Sequence, residues 1–385
     1  MTGTGSSRKE TVIIIGAGVI GLSIAWRLAQ RGSAVTVFDR GAAGSGATHA
    51  AAGMLAANAE AEPGEEALIA LNRASQKLWP AFAEEVERHS GLSVELRKEG
   101  TLLIALTADD QARLQHHLEF QHSLGLPLEW INAAEARRRE PHLTPKMVGA
   151  ILSPEDHQVE NRKLAAALCV TAVKAGAVVH EHAPVERIAI NRGRAEGVVV
   201  GGTIHRSDIV VLAAGAWSRD IEGLPAEARP PVRPIKGQMI ALRMDARAPI
   251  LRHVVWAPGV YLGPRLDGRL LVGATVEEKG FDASLTAGAQ LSLLDAAWRV
   301  LPAIEELAIE ESWAGFRPGS RDDAPILGNG PVEGLVYATG HYRNGILLAP
   351  ISAQAITDLI IEGKMDSIVR PFGFERFVPK AAAAE

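Results

Sequence analysis

The stretch TVIIIGAGVIGLSIAWRLAQRGSAVTVFDR, Thr11 to Arg40, narrows the possible folds more than any other part of the chain. The apolar run Val12 to Ile15 predicts a strand buried on both faces, and it runs directly into Gly16-x-Gly18-x-x-Gly21. Helical character follows from Ile20 to Gln30, and Ala34 to Phe38 predicts a second strand ending at Asp39. Each part serves the holding of a dinucleotide. Gly16 permits the tight turn, Gly18 lets backbone approach a pyrophosphate, and Gly21 lets helix lie close on strand. The helix N-terminus offers unpaired N–H groups and partial positive charge to phosphates. Asp39 can accept hydrogen bonds from a ribose. A lone glycine motif is weak evidence, but here strand, helix and acidic residue all flank it at the right spacing. The motif does not distinguish FAD from NAD.

Composition narrows the class further. A chain of 385 residues can bury a large core and predicts two substructures. Its 47% hydrophobic and 22% charged residues are those of an ordinary globular protein. A net charge of −5 without a long basic run argues against nucleic acid and against an anionic membrane surface. The one cysteine, Cys169, excludes an intrachain disulfide framework and a cysteine-rich metal site. Arg8 and Lys9 before an apolar stretch mimic a signal peptide, but Gly16, Gly18 and Gly21 interrupt it and it is too short to span a membrane. The expectation is a cytoplasmic protein with a disordered N-terminal tail.

Beyond Asp39, Gly44 to Ala57 is a small-residue segment suited to close approach by a flat ligand. Helices are predicted at about Pro63 to Ser90, Asp109 to Leu124, Ala133 to Arg139, Asn161 to Ala175 and Thr286 to Val300. Ser207 to Ala213 predicts an apolar strand ending in Ala214-Gly215-Ala216-Trp217-Ser218. Leu335 to Thr339 predicts another, leading into Gly340 and a helix from about Ile346 to Ile361. Three separated strand–glycine turns imply one nucleotide domain assembled from discontinuous segments. Between them, prolines cluster from Pro230 and short alternating strands follow, as in an antiparallel sheet with helices. The expected fold is α/β: a discontinuous Rossmann-like domain (10–80, 150–228, 315–376), an inserted antiparallel-sheet α+β substrate domain (81–149, 229–314), and tails at 1–9 and 377–385.

The segments GAGVIG with Asp39, GATHAAAGML, AAGAWS, GVYLGPR, LLVGATVE, ESWAGFRPGSRDDAPILG and GHYRNGILLAP together resemble the D-amino acid oxidase family of FAD-dependent enzymes, and within it the glycine oxidases. The resemblance runs from about Val12 to Phe374. It implies noncovalent FAD, with contacts from Gly16, Gly18, Val19, Ile20, Gly21, Asp39, Arg40, Ala47, Thr48, Ala52, Gly53, Met54, Val185 and the run His341, Tyr342, Arg343, Asn344, Gly345, Ile346, Leu347. It also implies that the N-terminus of the last helix faces the flavin. Arg317 matches a carboxylate-binding arginine, whose planar fork suits that group. Tyr261 matches a tyrosine that assists it. Arg343 either touches substrate or supports the flavin-facing turn. No metal and no acid–base side chain is implied; His157, His253 and His341 are candidates only if proton abstraction is needed.

The implied reaction is oxidative deamination of glycine, sarcosine or a small D-amino acid with molecular oxygen as acceptor, giving an imino or oxo acid, ammonia and hydrogen peroxide. A homo-oligomer that feeds thiamine thiazole synthesis is implied as well. Two other readings remain: a D-amino acid or sarcosine dehydrogenase with a non-oxygen acceptor, and a noncatalytic flavin-bearing subunit. Gly259 and Val276 stand where relatives carry histidine and methionine, which leaves the preferred substrate open. His49 lies one residue too far from Gly53 to match relatives that link FAD through a histidine.

Overall fold

The computed structural model describes residues 10–378. The run Val12 to Ile15 becomes the strand Thr11–Ile15 at the centre of a six-stranded sheet. The order across that sheet is Ile326–Asn329, Leu335–Thr339, Ile209–Leu212, Thr11–Ile15, Ala34–Phe38, Val178–His180. Five of these strands are parallel, and Ile326–Asn329 is an antiparallel edge. Val12 and Ile14 point into a core with the helices Val19–Gln30, Glu66–Ser90, Asn161–Lys174 and Ala349–Glu362. Ile13 and Ile15 point the other way, onto a three-stranded antiparallel sheet through Ile188, Ala195 and Val198. Covering both faces is what requires an unbroken apolar strand rather than an alternating one.

The second large sheet has eight strands. Its order is Ala308–Gly319, Arg233–Arg243, Arg269–Gly273, Val260–Pro264, Val254–Ala257, Thr101–Ala105, Gly149–Ser153, Glu129–Asn132. All neighbours are antiparallel except Val254–Ala257 beside Thr101–Ala105. Helix Ala287–Val300 buries Leu293, Ala297 and Val300 against Ile240, Leu262 and Val272 of this sheet. The predicted α/β architecture, with a discontinuous parallel sheet and an antiparallel companion, is the observed one.

Several boundaries differ from expectation. The break at residues 80 and 81 falls inside Glu66–Ser90, because Phe82, Ala83 and Val86 share the core of Trp26 and Leu28. The last helix begins at Ala349 rather than Ile346, after the 3-10 turn Tyr342–Asn344. Pro350 stands in the first turn, where its missing N–H is harmless and its fixed φ favours a helix start. Phe377 was placed in the C-terminal tail, yet it ends the 3-10 turn Phe374–Phe377 and packs on the core. The remaining tail residues, 1–9 and 379–385, lie outside the described residues. The long strand Ala308–Gly319 was not foreseen, because Gly315, Pro318 and Gly319 disguise its sequence.

Candidate active site

The strands Thr11–Ile15, Ile209–Leu212 and Leu335–Thr339 are neighbours in the parallel sheet, so their three following turns emerge side by side. Ligands bind outside the carboxyl ends of such strands. One cavity of about 1160 Å³ opens there and continues under the antiparallel sheet. It is lined by every expected FAD contact except Gly21: Gly16, Gly18, Val19, Ile20, Asp39, Arg40, Ala47, Thr48, Ala52, Gly53, Met54, Val185 and His341 through Leu347. Gly21 serves packing instead. A Cβ at that position would sit 1.9 Å from the Gly16 carbonyl oxygen, so only glycine lets the helix close onto the turn.

The turn is preorganised by side chains. Asp39 Oδ2 accepts from the Ala17 N–H at 2.7 Å, and its Oδ1 from the Gly41 N–H at 2.8 Å. The carboxylate therefore ties the glycine turn to the second strand while still facing the cavity. Val19 N–H, one of the donors expected to face phosphate, is held by Thr48 Oγ1 at 3.0 Å. The Arg40 guanidinium lies 3.6 Å over the Trp217 ring, which stacks on Phe281 and meets Phe316 edge-on. Trp217 lines the cavity, and sequence reasoning had passed over it within AAGAWS.

At the closing turn, Ser75 Oγ and Trp79 Nε1 both donate to the Leu347 carbonyl, at 2.6 and 2.8 Å. The long helix Glu66–Ser90 thus fixes the segment that precedes Ala349–Glu362. His341 is buried with its Nε2 3.0 Å from Ser352 Oγ. Burial pushes its pKa down to about 3, so the ring is neutral at physiological pH. His157 and His253 are not among the lining residues. His253 Nδ1 instead pairs with buried Glu140 at 2.6 Å. His49 is also not a lining residue, although Thr48 and Ala50 beside it are. Its imidazole feels Arg162 and Glu311.

The far end of the cavity belongs to the antiparallel sheet. Arg317 stands on Ala308–Gly319, paired in register with Ile235 of the adjacent strand. Its guanidinium lies flat over Gly237, where a Cβ would come within 2.5 Å of Nη1. Nη1 donates to the Thr275 carbonyl at 3.1 Å. Among the described residues, no carboxylate lies within ion-pair distance of Arg317. Tyr261 stands beside it and donates to Met239 Sδ at 3.0 Å. Burial raises the Tyr261 pKa, and the Arg317 charge opposes that shift. The cavity thus presents a half-buried tyrosine hydroxyl beside a cation that, among the described residues, lacks a carboxylate partner.

Arg343 was expected either to touch substrate or to support the flavin-facing turn, and its ion pairs favour the second role. It lines the cavity, but its Nε donates to Glu60 Oε2 at 2.9 Å and its Nη2 to Glu65 Oε2 at 2.8 Å. Two carboxylates satisfy its charge. Glu60 also lines the cavity, and burial pushes its carboxyl up to about 7 against the pull of Arg343. Sequence reasoning missed both acids, since the run AEAEPGEE reads as a solvated face. The available signal was their position five and ten residues after the Gly53-Met54-Leu55 segment. Gly259 and Val276 both line the cavity, as does Trp256.

A long cavity with a glycine turn at one end and a side-chain-poor wall from Gly41 to Gly53 has the shape a flavin dinucleotide requires. The pattern of FAD dependent oxidoreductases, the DAO family, matches residues 11–359, and the chain belongs to that family. The glycine oxidase of Geobacillus kaustophilus is 37% identical over 97% of this chain and 99% of its own length. Its crystal structure superposes with a TM-score of 0.89 over 96% of this chain and 100% of that one. The bifunctional protein ThiO/ThiG of Synechocystis is 39% identical over 95% of this chain, which spans 54% of that longer protein. Iminodiacetate oxidase from Chelativorans is 29% identical with a TM-score of 0.85, over 94% of this chain and 98% of that one.

Proposed function

We propose that the protein is a glycine oxidase-like FAD-dependent amino acid oxidase acting on glycine or another small amine-bearing acid, sarcosine and small D-amino acids included. The observation that carries this reading is Arg317: a guanidinium without a carboxylate partner, clamped over Gly237 at the inner end of the cavity. A half-buried guanidinium without an anion leaves its charge uncompensated, and a substrate carboxylate completes it bidentately. Tyr261 adds a neutral donor, since its raised pKa keeps the phenol protonated. Together they fix the acid end of the substrate, and fixed geometry supplies much of the rate acceleration. FAD, when bound, would supply a two-electron acceptor for hydride from the substrate Cα, with oxygen as the oxidant that regenerates it and is reduced to peroxide.

The lining residues named above are proposed as the FAD contacts, with Asp39 towards the ribose and the turn His341 to Leu347 towards the flavin. We also read the two sheets as FAD-binding and substrate domains, the former taking in all of Glu66–Ser90. A role in delivering a glycine-derived imine to thiazole synthesis for thiamine fits the ThiO/ThiG likeness. A cytoplasmic setting fits the lone cysteine. A homo-oligomer fits Leu291 and Trp298, which are 71% and 47% exposed on helix Ala287–Val300.

Purified holoenzyme should lose its yellow absorbance when mixed anaerobically with glycine or sarcosine, and recover it with stoichiometric peroxide when oxygen returns. A flavin that stays oxidised with every small amino acid rejects the oxidase reading. Bleaching without peroxide on reoxidation favours a dehydrogenase with another acceptor.

A further inference from the structure

Two arginines line the one cavity with opposite local charge balance. Arg317 has no carboxylate within ion-pair distance among the described residues, whereas Arg343 has two, Glu60 at 2.9 Å and Glu65 at 2.8 Å. Glu60 itself faces the cavity, while Glu65 is not a lining residue. The Glu60 charge also reaches Tyr261 and raises its pKa, the opposite of what Arg317 does to the same hydroxyl. One end of the site therefore attracts an anion and the adjoining corner does not. In a low-dielectric cavity, like charges brought close together discriminate strongly against the wrong partner.

We propose that Glu60, held by Arg343, is a specificity-determining residue: in its ionised form it cancels the second guanidinium and restricts the site to amines with one anionic group. The proposal rests on the oxidase reading and names the substrate class more narrowly. An amine with two carboxylates places one on Arg317, and its second then meets Glu60 rather than a free cation. The fold itself does not forbid such substrates, as the iminodiacetate oxidase with a TM-score of 0.85 shows. Replacing Glu60 by the isosteric neutral amide leaves Arg343 with only Glu65 and unmasks cationic character inside the cavity.

The test uses the holoenzyme and the variants Glu60→Gln, Glu60→Asp and Glu65→Gln. Acetate and malonate are titrated against each at about pH 8.5, where Glu60 is ionised, with flavin absorbance reporting equilibrium binding, and kcat/KM is measured for glycine and iminodiacetate at the same pH. Glu60→Gln should shift both dicarboxylate-to-monocarboxylate ratios upward by about tenfold, one factor of ten being about 1.4 kcal/mol. Glu60→Asp should keep the wild-type ratios, and Glu65→Gln should shift them in the same direction by less. Ratios that stay unchanged in Glu60→Gln, or equal losses for both ligand classes, overturn the proposal. If Glu60→Gln does not fold, unchanged ratios in Glu65→Gln overturn it. Wild-type enzyme inert towards every amine sinks the oxidase reading instead, and the acetate–malonate comparison still decides the role of Glu60.

Discussion

The two ends of the cavity are built on different principles. At the parallel sheet the ligand-facing surface is mostly backbone: glycine turns, small residues, and Asp39 bracing the loop through Ala17 and Gly41. At the other end the surface is side chains: Arg317 and Tyr261 on the antiparallel sheet and the Glu60–Arg343 pair in the turns facing them, each held by neighbours distant in sequence. The first end is general for a dinucleotide because every dinucleotide presents a phosphate backbone. The second is particular, because one guanidinium more or less changes which substrate fits. Affinity for the cofactor and choice of substrate should therefore be separable by mutation.

The largest effect that would sharpen this contrast lies at Gly21. Any side chain there collides with the Gly16 carbonyl at 1.9 Å, and neither helix nor strand can move away without opening the central core. Gly21→Val should yield colourless or insoluble protein, as read by the flavin-to-protein absorbance ratio. Retention of full flavin content would break the claim that close helix–strand contact builds the cofactor end.

Next in size is Arg317→Ala. Flavin content should remain near wild type while kcat/KM for glycine falls on the order of a hundredfold to several thousandfold, the equivalent of roughly 3–5 kcal/mol for truncating a charge that binds the substrate carboxylate. Loss of flavin together with activity would show that the two ends are not independent.

The smallest effect concerns stability and pH at Glu60. Its carboxyl holds a proton up to about pH 7 in the folded chain, whereas an unfolded chain releases it near about 4.3. Between those values the folded state binds the extra proton, so stability falls as pH rises through that window. Glu60→Gln cannot titrate, and its unfolding free energy should decline less steeply over the same range. Asp156, raised by its own burial, contributes in the same direction, and because its charge reaches Glu60 the comparison reads the coupled pair. Parallel stability–pH curves for the two proteins would contradict the buried, titrating role of Glu60.

Much of the cofactor end was legible in the sequence because its determinants are local. A strand, its glycine turn, the helix and Asp39 lie within one continuous stretch, and each imposes its geometry on its neighbours. The resemblance also reached Arg317 and Tyr261, since short motifs surround them. It did not reach Trp217 as a wall of the cavity, nor the strand Ala308–Gly319 that carries Arg317. Gly237 looked like one glycine among many, until the guanidinium lying on it showed why no larger residue fits.

Local periodicity, turn chemistry and the glycine motif by themselves determined a dinucleotide fold made of separated segments, because hydrophobic spacing and φ preferences act over a few residues. Tertiary structure alone decided which of two arginines remains available. Glu60 and Glu65 stand 283 and 278 residues from Arg343 in the chain, and only packing brings their charges together. Coulomb interactions depend on distance in space and on burial, neither of which is written in residue order.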